Sequence, residues 1–472
     1  MPVSERRTKI VATIGPACRD PETLARMVEA GMDVARLNFS HASLEVHAEN
    51  AELVRAAAAA VGRQVAILQD LPGPKIRIGR LRDDTVELKP GEQLVLMCGS
   101  DVVGDEQRIS VSWGGLAEAV DLDDVIYLAD GAIRLRVKSI HNGDGEIETA
   151  VEIGGSVSSR QGLNIPGSTR GLDAVPEEDL EMLRFGESIG VDVVALSFVR
   201  TAEDITAVRR HTRLPLVAKI EKPQAVDAAE EIIRAADCVM VARGDLGIEL
   251  PIEDVPVIQK RLLATAGRLA RPSITATQML DSMVSSTRPT RAEVADVANA
   301  ILDGTDAVML SQETAVGAHP VLAVEMMASI AQRTEREAPY RAWNDDRVRR
   351  DARDPAYTVA YMATAAARDL HLAALVVPTL SGRSARLLSA HRPQVPIYAL
   401  SPGKETVRRC ALMWGVEAGS MRRHEVTEAL IADAARRVVE LGWIKPGARV
   451  GITAGLPSGL PGTTSLIQIQ RV

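Results

Sequence analysis

The fold class predicted is α/β: a closed (β/α)8 barrel that carries an inserted small β-barrel domain and is followed by a C-terminal α/β domain. Three observations predict it. Eight short segments rich in Val, Ile, Ala and Leu recur along the chain, stretches with helical spacing separate most of them, and the alternation breaks once, between about residues 72 and 168. Strands that alternate with helices build a parallel sheet, and eight such units fit a closed TIM barrel better than an open sheet. At 472 residues the chain is also too long for one ordinary core, so two or three domains are expected.

Residues 1–71 supply the first part of the barrel, with strands in "KIVATIG" (9–15), "VARLNFS" (34–40) and "VAILQDL" (65–71) and a helix in "PETLARMVEAG". Residues 72–168 read as the inserted β domain. Its turn signals are "KPGE", "LADG" and "HNGDGE", and its alternating runs are "DTVELK", "QLVLMC" and "AIRLRVKS". Inserted after strand three, it lies beside the C-terminal face of the barrel and is placed to close over a ligand as a lid. The barrel resumes over 169–345 with "VVALSFV" (193–199), "LVAKIE" (216–221), "CVMVARGD" (238–245), "SITATQM" (273–279) and "AVMLSQET" (307–314); helical spacing appears in "PQAVDAAEEIIRAAD" and "TRAEVADVANAILDG". The charged segment "NDDRVRRDARD" reads as a linker into a last α/β unit, 346–472, with strands in "AALVVP", "PIYALS", "RVGITA" and "LIQIQRV".

A composition of 46% apolar and 25% charged residues belongs to a globular protein in water. The net charge of −8 argues against nucleic acid or an anionic membrane as a general partner, since both attract basic surfaces. The opening "MPVSERRTKI" is not followed by a signal-peptide stretch and no segment approaches membrane-span length, so a cytoplasmic location is expected. Cys18, Cys98, Cys238 and Cys410 are far apart, which fits buried thiols in a reducing compartment rather than a zinc site or disulfide frame.

The polar residues of the eight segments cluster at their C-terminal ends: Asn38 and Ser40, Asp70, Ser197, Lys219 and Glu221, Arg243 and Asp245, Thr277 and Gln278, Ser311 and Glu313. In such a barrel the C-terminal face is where catalytic groups gather. Lys219 and Glu221 are two residues apart and so face the same side of a strand. Glu221 and Asp245 are expected to end successive strands, a pair of carboxylates suited to magnesium with water and a substrate oxygen completing its shell. Gly244 lets an anionic ligand approach the backbone, and the N–H groups of the following turn favour it. Arg36 and Arg77 flank the first and third strand ends and suit bidentate phosphate contacts. The bland readings are a surface Lys/Glu pair, a turn glycine and solvated arginines, and His41 reads as structural. Together the groups fit phosphoryl transfer or enolate chemistry, in which a cation and a lysine neutralise an anionic substrate.

The segments "TKIVATIGPA", "GMDVARLNFSHAS", "LPGPKIRIG", "AKIEKP", "VMVARGDLGIELP" and "ITATQMLDSM…RPTRAEVADVANAILDGTDAVML" closely resemble the pyruvate kinase family, in order and spacing, over almost the whole chain. The resemblance implies transfer of the phosphoryl group of phosphoenolpyruvate to ADP and protonation of the enolate to pyruvate. It implies magnesium at Glu221 and Asp245 and a second magnesium with the nucleotide. Lys219 would stabilise phosphoryl and enolate charge, Arg36 and Arg77 would meet phosphate, and Ser197 belongs to the substrate site. The backbone at Ala242, Gly244 and Asp245 with Thr277 would hold the substrate carboxylate. Thr277 and Ser311 stand near the proton route, where a water chain is the physical carrier because a hydroxyl is too weak an acid at neutral pH.

Many members bind potassium at positions matching Asn38, Ser40, Asp70 and the Leu71 carbonyl. Lys75 stands where they carry glutamate, so weak or absent potassium dependence is expected. The loop with Thr379, Ser381, Gly382, Arg383 and Ser384 precedes a helix and matches the family's site for a phosphorylated activator; a plain helix cap is the alternative. A homotetramer is implied as well. Three departures stand out: Gln312 for a usual glycine, Ala129 before Asp130 for a second aspartate, and the altered junction "NIPGSTRGLDAVPEED". They keep two other readings open, a magnesium-dependent aldolase or lyase of pyruvate enolate, and a regulatory paralogue without turnover.

Overall fold

The computed structural model describes residues 6–141, 143–166, 171, 175–340, 343, 354–455 and 464–472. The linker residues 344–353 and most of the junction, 167–170 and 172–174, lie outside the described residues.

Eight parallel strands close a barrel in chain order: β1 (Lys9–Thr13), β2 (Val34–Asn38), β3 (Ala66–Leu71), β4 (Val193–Leu196), β5 (Leu216–Ile220), β6 (Cys238–Ala242), β7 (Ser273–Ala276) and β8 (Ala307–Leu310). Closure is made by β1 against β8, with Lys9 beside Ala307. These strands are buried on both faces, which is why they read as continuous apolar runs rather than as alternation. Helices Pro21–Ala30, Arg291–Leu302 and Pro320–Arg336 are among those that cover the outside. The second begins in a capping box in which Thr290 and Glu293 satisfy each other's free backbone N–H groups.

The barrel strands stop short of the segments read from the sequence, and this is a correction. Arg243 and Asp245 are not on β6: the strand ends at Ala242 and Arg243–Glu249 is a helix. Glu221 likewise follows the end of β5, and Gln312–Ala315 is a helical turn after β8. Polar residues continue the sequence pattern while the backbone has already turned.

Between β3 and β4 lies a curled six-stranded sheet, ordered Leu163–Asn164, Val125–Leu128, Ile133–His141, Glu146–Ile153, Gln93–Cys98 and Arg108–Val111, with a separate pair formed by Thr85–Leu88 and Gly155–Ser158. It has its own apolar core, including Leu94, Ile126, Leu135 and Ile147. The chain enters it through Gly73, whose φ of +69° is left-handed and where a β-carbon would lie 3.0 Å from Ser197 and Phe198 atoms.

The C-terminal unit is a five-stranded sheet, ordered Val416–Ser420, Ile397–Ser401, Ala374–Pro378, Arg449–Gly455 and Thr464–Arg471, with only the last strand antiparallel to its neighbour. It seals the N-terminal mouth of the barrel. Ala411 and Leu412 pack into the same cluster as the barrel-interior residues Val11, Val34, Val217 and Met309. Beside them Arg392, fully buried, reaches Asp306 Oδ1 (2.7 Å) and the Gly304 carbonyl (2.8 Å) and stacks on Trp414.

Candidate active site

Side chains on a strand alternate, so the interior residues fix which later ones face the barrel axis. Val11, Val34, Leu68, Ala195, Val217 and Met309 belong to the interior cluster. Two residues further on stand Thr13, Arg36, Asp70, Ser197, Lys219 and Ser311, which converge at the C-terminal mouth.

Lys219 is the centre of this group. Its ammonium lies 2.7 Å from Ser197 Oγ, 2.9 Å from Glu221 Oε1 and 3.2 Å from Asp70 Oδ1. Burial pulls its pKa down, but the Asp70, Glu221 and Asp245 carboxylates outweigh burial and hold the pKa above the ordinary lysine value. Arg36 is fixed by Asp70 Oδ2 at 2.6 Å from Nε and by Thr13 Oγ1 at 3.0 Å from Nη1. Burial alone would raise the Asp70 carboxyl, and Lys219 and Arg36 bring it below the usual range. Ser197 donates in turn to the Leu71 carbonyl at 2.7 Å.

Glu221 accepts from the Phe198 N–H at 2.7 Å, and Phe198 holds a left-handed φ of 56°. Burial pushes the Glu221 carboxyl up, Lys219 pulls it back and Asp245 raises it again, so it stays above the ordinary glutamate value. Asp245 occupies the first turn of helix Arg243–Glu249. A buried glutamate carboxylate whose proton affinity is raised by a neighbouring aspartate fits a hard divalent cation, which would relieve the repulsion.

The Gly244 N–H, expected to be open to an anion, donates to Thr277 Oγ1 at 2.7 Å, and that hydroxyl donates to the Ala276 carbonyl at 2.6 Å. Thr277 and Gln278 hold φ values of 70° and 53°, strained for residues with side chains. Arg243 secures this loop: it reaches the Thr277 carbonyl (2.8 Å) and Asp296 Oδ1 (2.7 Å). Ser311 Oγ is buried without a hydrogen-bond partner among the described residues, and Gln312 beside it is exposed.

Arg77 sits at the lid junction, with its N–H on Ser112 Oγ (3.1 Å) and its guanidinium on the Arg160 carbonyl (3.1 Å). Lys75, Arg77 and Arg36 all act on His41, whose pKa is lowered first by burial and then by those three cations. Asn38 Oδ1 accepts from the Ser40 N–H at 3.2 Å. Lys75, Asp130, Asn164, Arg200, Lys222 and Asp245 line the cleft between lid and barrel. Four of these, Asp130, Asn164, Arg200 and Lys222, were not singled out by sequence as site residues; neither was Glu249, which pairs with Lys222. Its one sequence signal is that it stands four residues after Asp245 in an otherwise apolar turn.

Thr379, Ser381, Gly382, Arg383 and Ser384 gather elsewhere, at the start of helix Arg383–Ala390. The Gly382 N–H donates to Thr379 Oγ1 at 3.0 Å, Arg383 pairs with Asp354, and Ser384 pairs with Thr464. A cavity of about 210 Å³ at the barrel boundary is lined by Ser381, Gly382 and Arg383 together with Arg209, Arg213 and Arg409.

Comparison with known families gives two matches. The profile described as "Pyruvate kinase, barrel domain" matches residues 5–324, and "Pyruvate kinase, alpha/beta domain" matches 357–470. The chain belongs to the pyruvate kinase family. It is 43% identical to the pyruvate kinase of Geobacillus stearothermophilus over 99% of this chain and 81% of that protein. It is 40% identical to the pyruvate kinases of Staphylococcus aureus (strain MRSA252) and Staphylococcus saprophyticus, over 99% of this chain and 80% of each.

Proposed function

We propose that the chain is a pyruvate kinase that transfers the phosphoryl group of phosphoenolpyruvate to ADP and releases pyruvate and ATP, working in glycolysis in the cytoplasm. The observation that carries this is the buried Lys219 ammonium, fixed by Asp70, Glu221 and Ser197 at the barrel mouth. A lysine with a raised pKa stays charged at every working pH and stabilises negative charge that develops on the phosphoryl group and the enolate oxygen. No helix among the described residues is long and apolar enough to cross a membrane.

Glu221 and Asp245 would hold magnesium, which when bound supplies charge neutralisation at the substrate oxygens. Arg36, oriented by Asp70 and Thr13, and Arg77 at the lid junction meet phosphate. Ser197 positions Lys219, and the turn of Ala242, Gly244 and Asp245 with Thr277 holds the substrate carboxylate once the Gly244 N–H exchanges its hydroxyl partner for it. A water between Thr277 and Ser311 delivers the proton to the enolate carbon, and the unpartnered Ser311 Oγ supports this route. A second magnesium accompanies the nucleotide.

Potassium is not needed in this reading. Asn38 Oδ1 accepts from the Ser40 N–H, Asp70 is met by Arg36 and Lys219, and the Leu71 carbonyl accepts from Ser197, while the Lys75 ammonium, which acts on His41, supplies positive charge nearby. The loop from Thr379 to Ser384 binds a phosphorylated effector, with the neighbouring arginines attracting it. The chain divides at 71/72, 168/169 and 345/346, and four chains assemble as a homotetramer. Family membership does not favour the lyase or the non-catalytic paralogue.

The deciding assay is pyruvate formation from phosphoenolpyruvate and ADP with magnesium, in potassium and in a bulky organic cation at equal ionic strength. ADP-dependent turnover in both salts is expected, with kcat lower by about 10²–10³ or more in Lys219→Met. Turnover in the variant near that of the parent removes Lys219 from the chemistry, and a large potassium activation removes the Lys75 argument. For the effector loop, Ser384→Asp is expected to abolish activation by sugar phosphates or nucleotides; an unchanged titration places their site elsewhere.

A further inference from the structure

We propose that the buried ion pair between Lys222 and Glu249 is a positioning device that sets the separation of the Glu221 and Asp245 carboxylates and ties it to the seating of the lid. This rests on the reading of Glu221 and Asp245 as the magnesium carboxylates. Lys222 follows Glu221 directly. Glu249 lies four residues after Asp245, one turn along helix Arg243–Glu249, so both stand on one face of that helix. The pair therefore clamps the carrier of one carboxylate to the carrier of the other.

Its surroundings make the clamp a closed circuit. The Lys222 and Glu249 side chains are 8% and 0% exposed. The Lys222 ammonium also lies 5.7 Å from the centre of the Phe198 ring, and the Phe198 N–H holds Glu221 Oε2. Contacts thus run from Glu221 through Phe198 and Lys222 to Glu249 and back along the helix to Asp245. A dry ion pair is weak evidence of stabilisation, because apolar residues of similar size serve stability as well, so its geometry is the better reason for it to be there.

The lid lands on the same turn. Asn164, on the last lid strand, places Nδ2 3.5 Å from Glu249 Oε1. Gly131 in the lid faces Ile248, 3.4 Å from where a β-carbon would stand. Two lid contacts fall on residues 248 and 249, so a shift of the lid is transmitted along the helix to Asp245.

The test is Mn2+ binding to the purified, ligand-free protein, followed by electron paramagnetic resonance beside thermal unfolding. Two variants are compared, the isosteric Glu249→Gln and the doubly apolar Lys222→Met with Glu249→Leu. The double variant is expected to unfold near the parent temperature and yet bind Mn2+ about 10-fold more weakly or worse, the range for losing an outer support of a metal ligand. Glu249→Gln is expected to weaken binding in the same range, and Asn164→Ala to weaken it severalfold. Parental Mn2+ affinity in either folded pair variant overturns the clamp, and parental affinity in Asn164→Ala overturns the lid link. Glu221→Gln is the control: if it too leaves Mn2+ affinity unchanged, the metal reading itself is wrong and the clamp falls with it.

Discussion

Asp179 shows how one residue at the edge of the site carries a pH signature. It accepts from the Gly73 N–H at 2.9 Å, at the point where the chain leaves the barrel for the lid. Burial pushes its carboxyl up to about 6, against which the Gly73 hydrogen bond pulls down. The folded protein then binds more protons at this group than the unfolded chain does. Stability falls as pH rises from about 4 to about 6 and is flat beyond, by roughly 3 kcal/mol at most. In Asp179→Asn this fall is expected to vanish, so the urea midpoint of the variant gains on the parent across that window; parallel pH profiles would show that Asp179 is ordinary. Lys219 has the same sign at higher pH, with the charged form as the favoured one. Its raised pKa makes its stabilising contribution complete at neutral pH and lost only as pH climbs through the folded value, above the lysine range.

At the scale of elements, the short helix Arg243–Glu249 organises the site, because Asp245, the support for the Thr277 loop and the lid contacts all come from it. Arg243→Met removes charge-assisted bonds to the Thr277 carbonyl and to Asp296. Roughly 1.5–3 kcal/mol is expected for each such bond lost. Because the loop it holds is strained at Thr277 and Gln278, kcat is expected to fall more than KM rises, and thermal unfolding with steady-state kinetics checks both. An unchanged kcat would mean that the loop holds itself.

Sequence reading was sound where burial is two-sided and blind where the backbone turns. The eight barrel strands were legible as apolar runs, whereas their ends were not, since "ARGD" continues the pattern after β6 has stopped at Ala242. The strands Val416–Ser420 and Glu146–Ile153 were missed because they are short of apolar residues or alternate with glutamates. Lys219 and Glu221 were legible as a pair from their spacing. The Asp70 contact with Lys219 was not, because it depends on barrel closure bringing β3 and β5 together, and neither was the Lys222 pairing with Glu249, which depends on a helix whose first three residues were read as the end of a strand.

At the scale of the whole molecule, the barrel and the C-terminal unit are joined through Arg392. Asp306 also accepts from the Ser273 N–H and hydroxyl, so Arg392→Met leaves that carboxylate buried with its counter-charge gone. A loss of about 3–5 kcal/mol is expected, seen as a lowered urea midpoint; a shift below 1 kcal/mol would make the contact incidental. Light scattering at assay concentration checks the tetramer, which a monomer would contradict.

The closure of β1 on β8 also dictates timing. Lys9 finds its neighbour only at Ala307, so on the ribosome the first strand has one edge open until the eighth has emerged. At ~5–20 residues per second that interval lasts some tens of seconds, during which the lid, whose strands are close in sequence, has time to fold ahead of the barrel that holds it. The nascent chain therefore carries a finished domain inserted in an unfinished one, and the insertion lengthens its window for mispairing or chaperone capture.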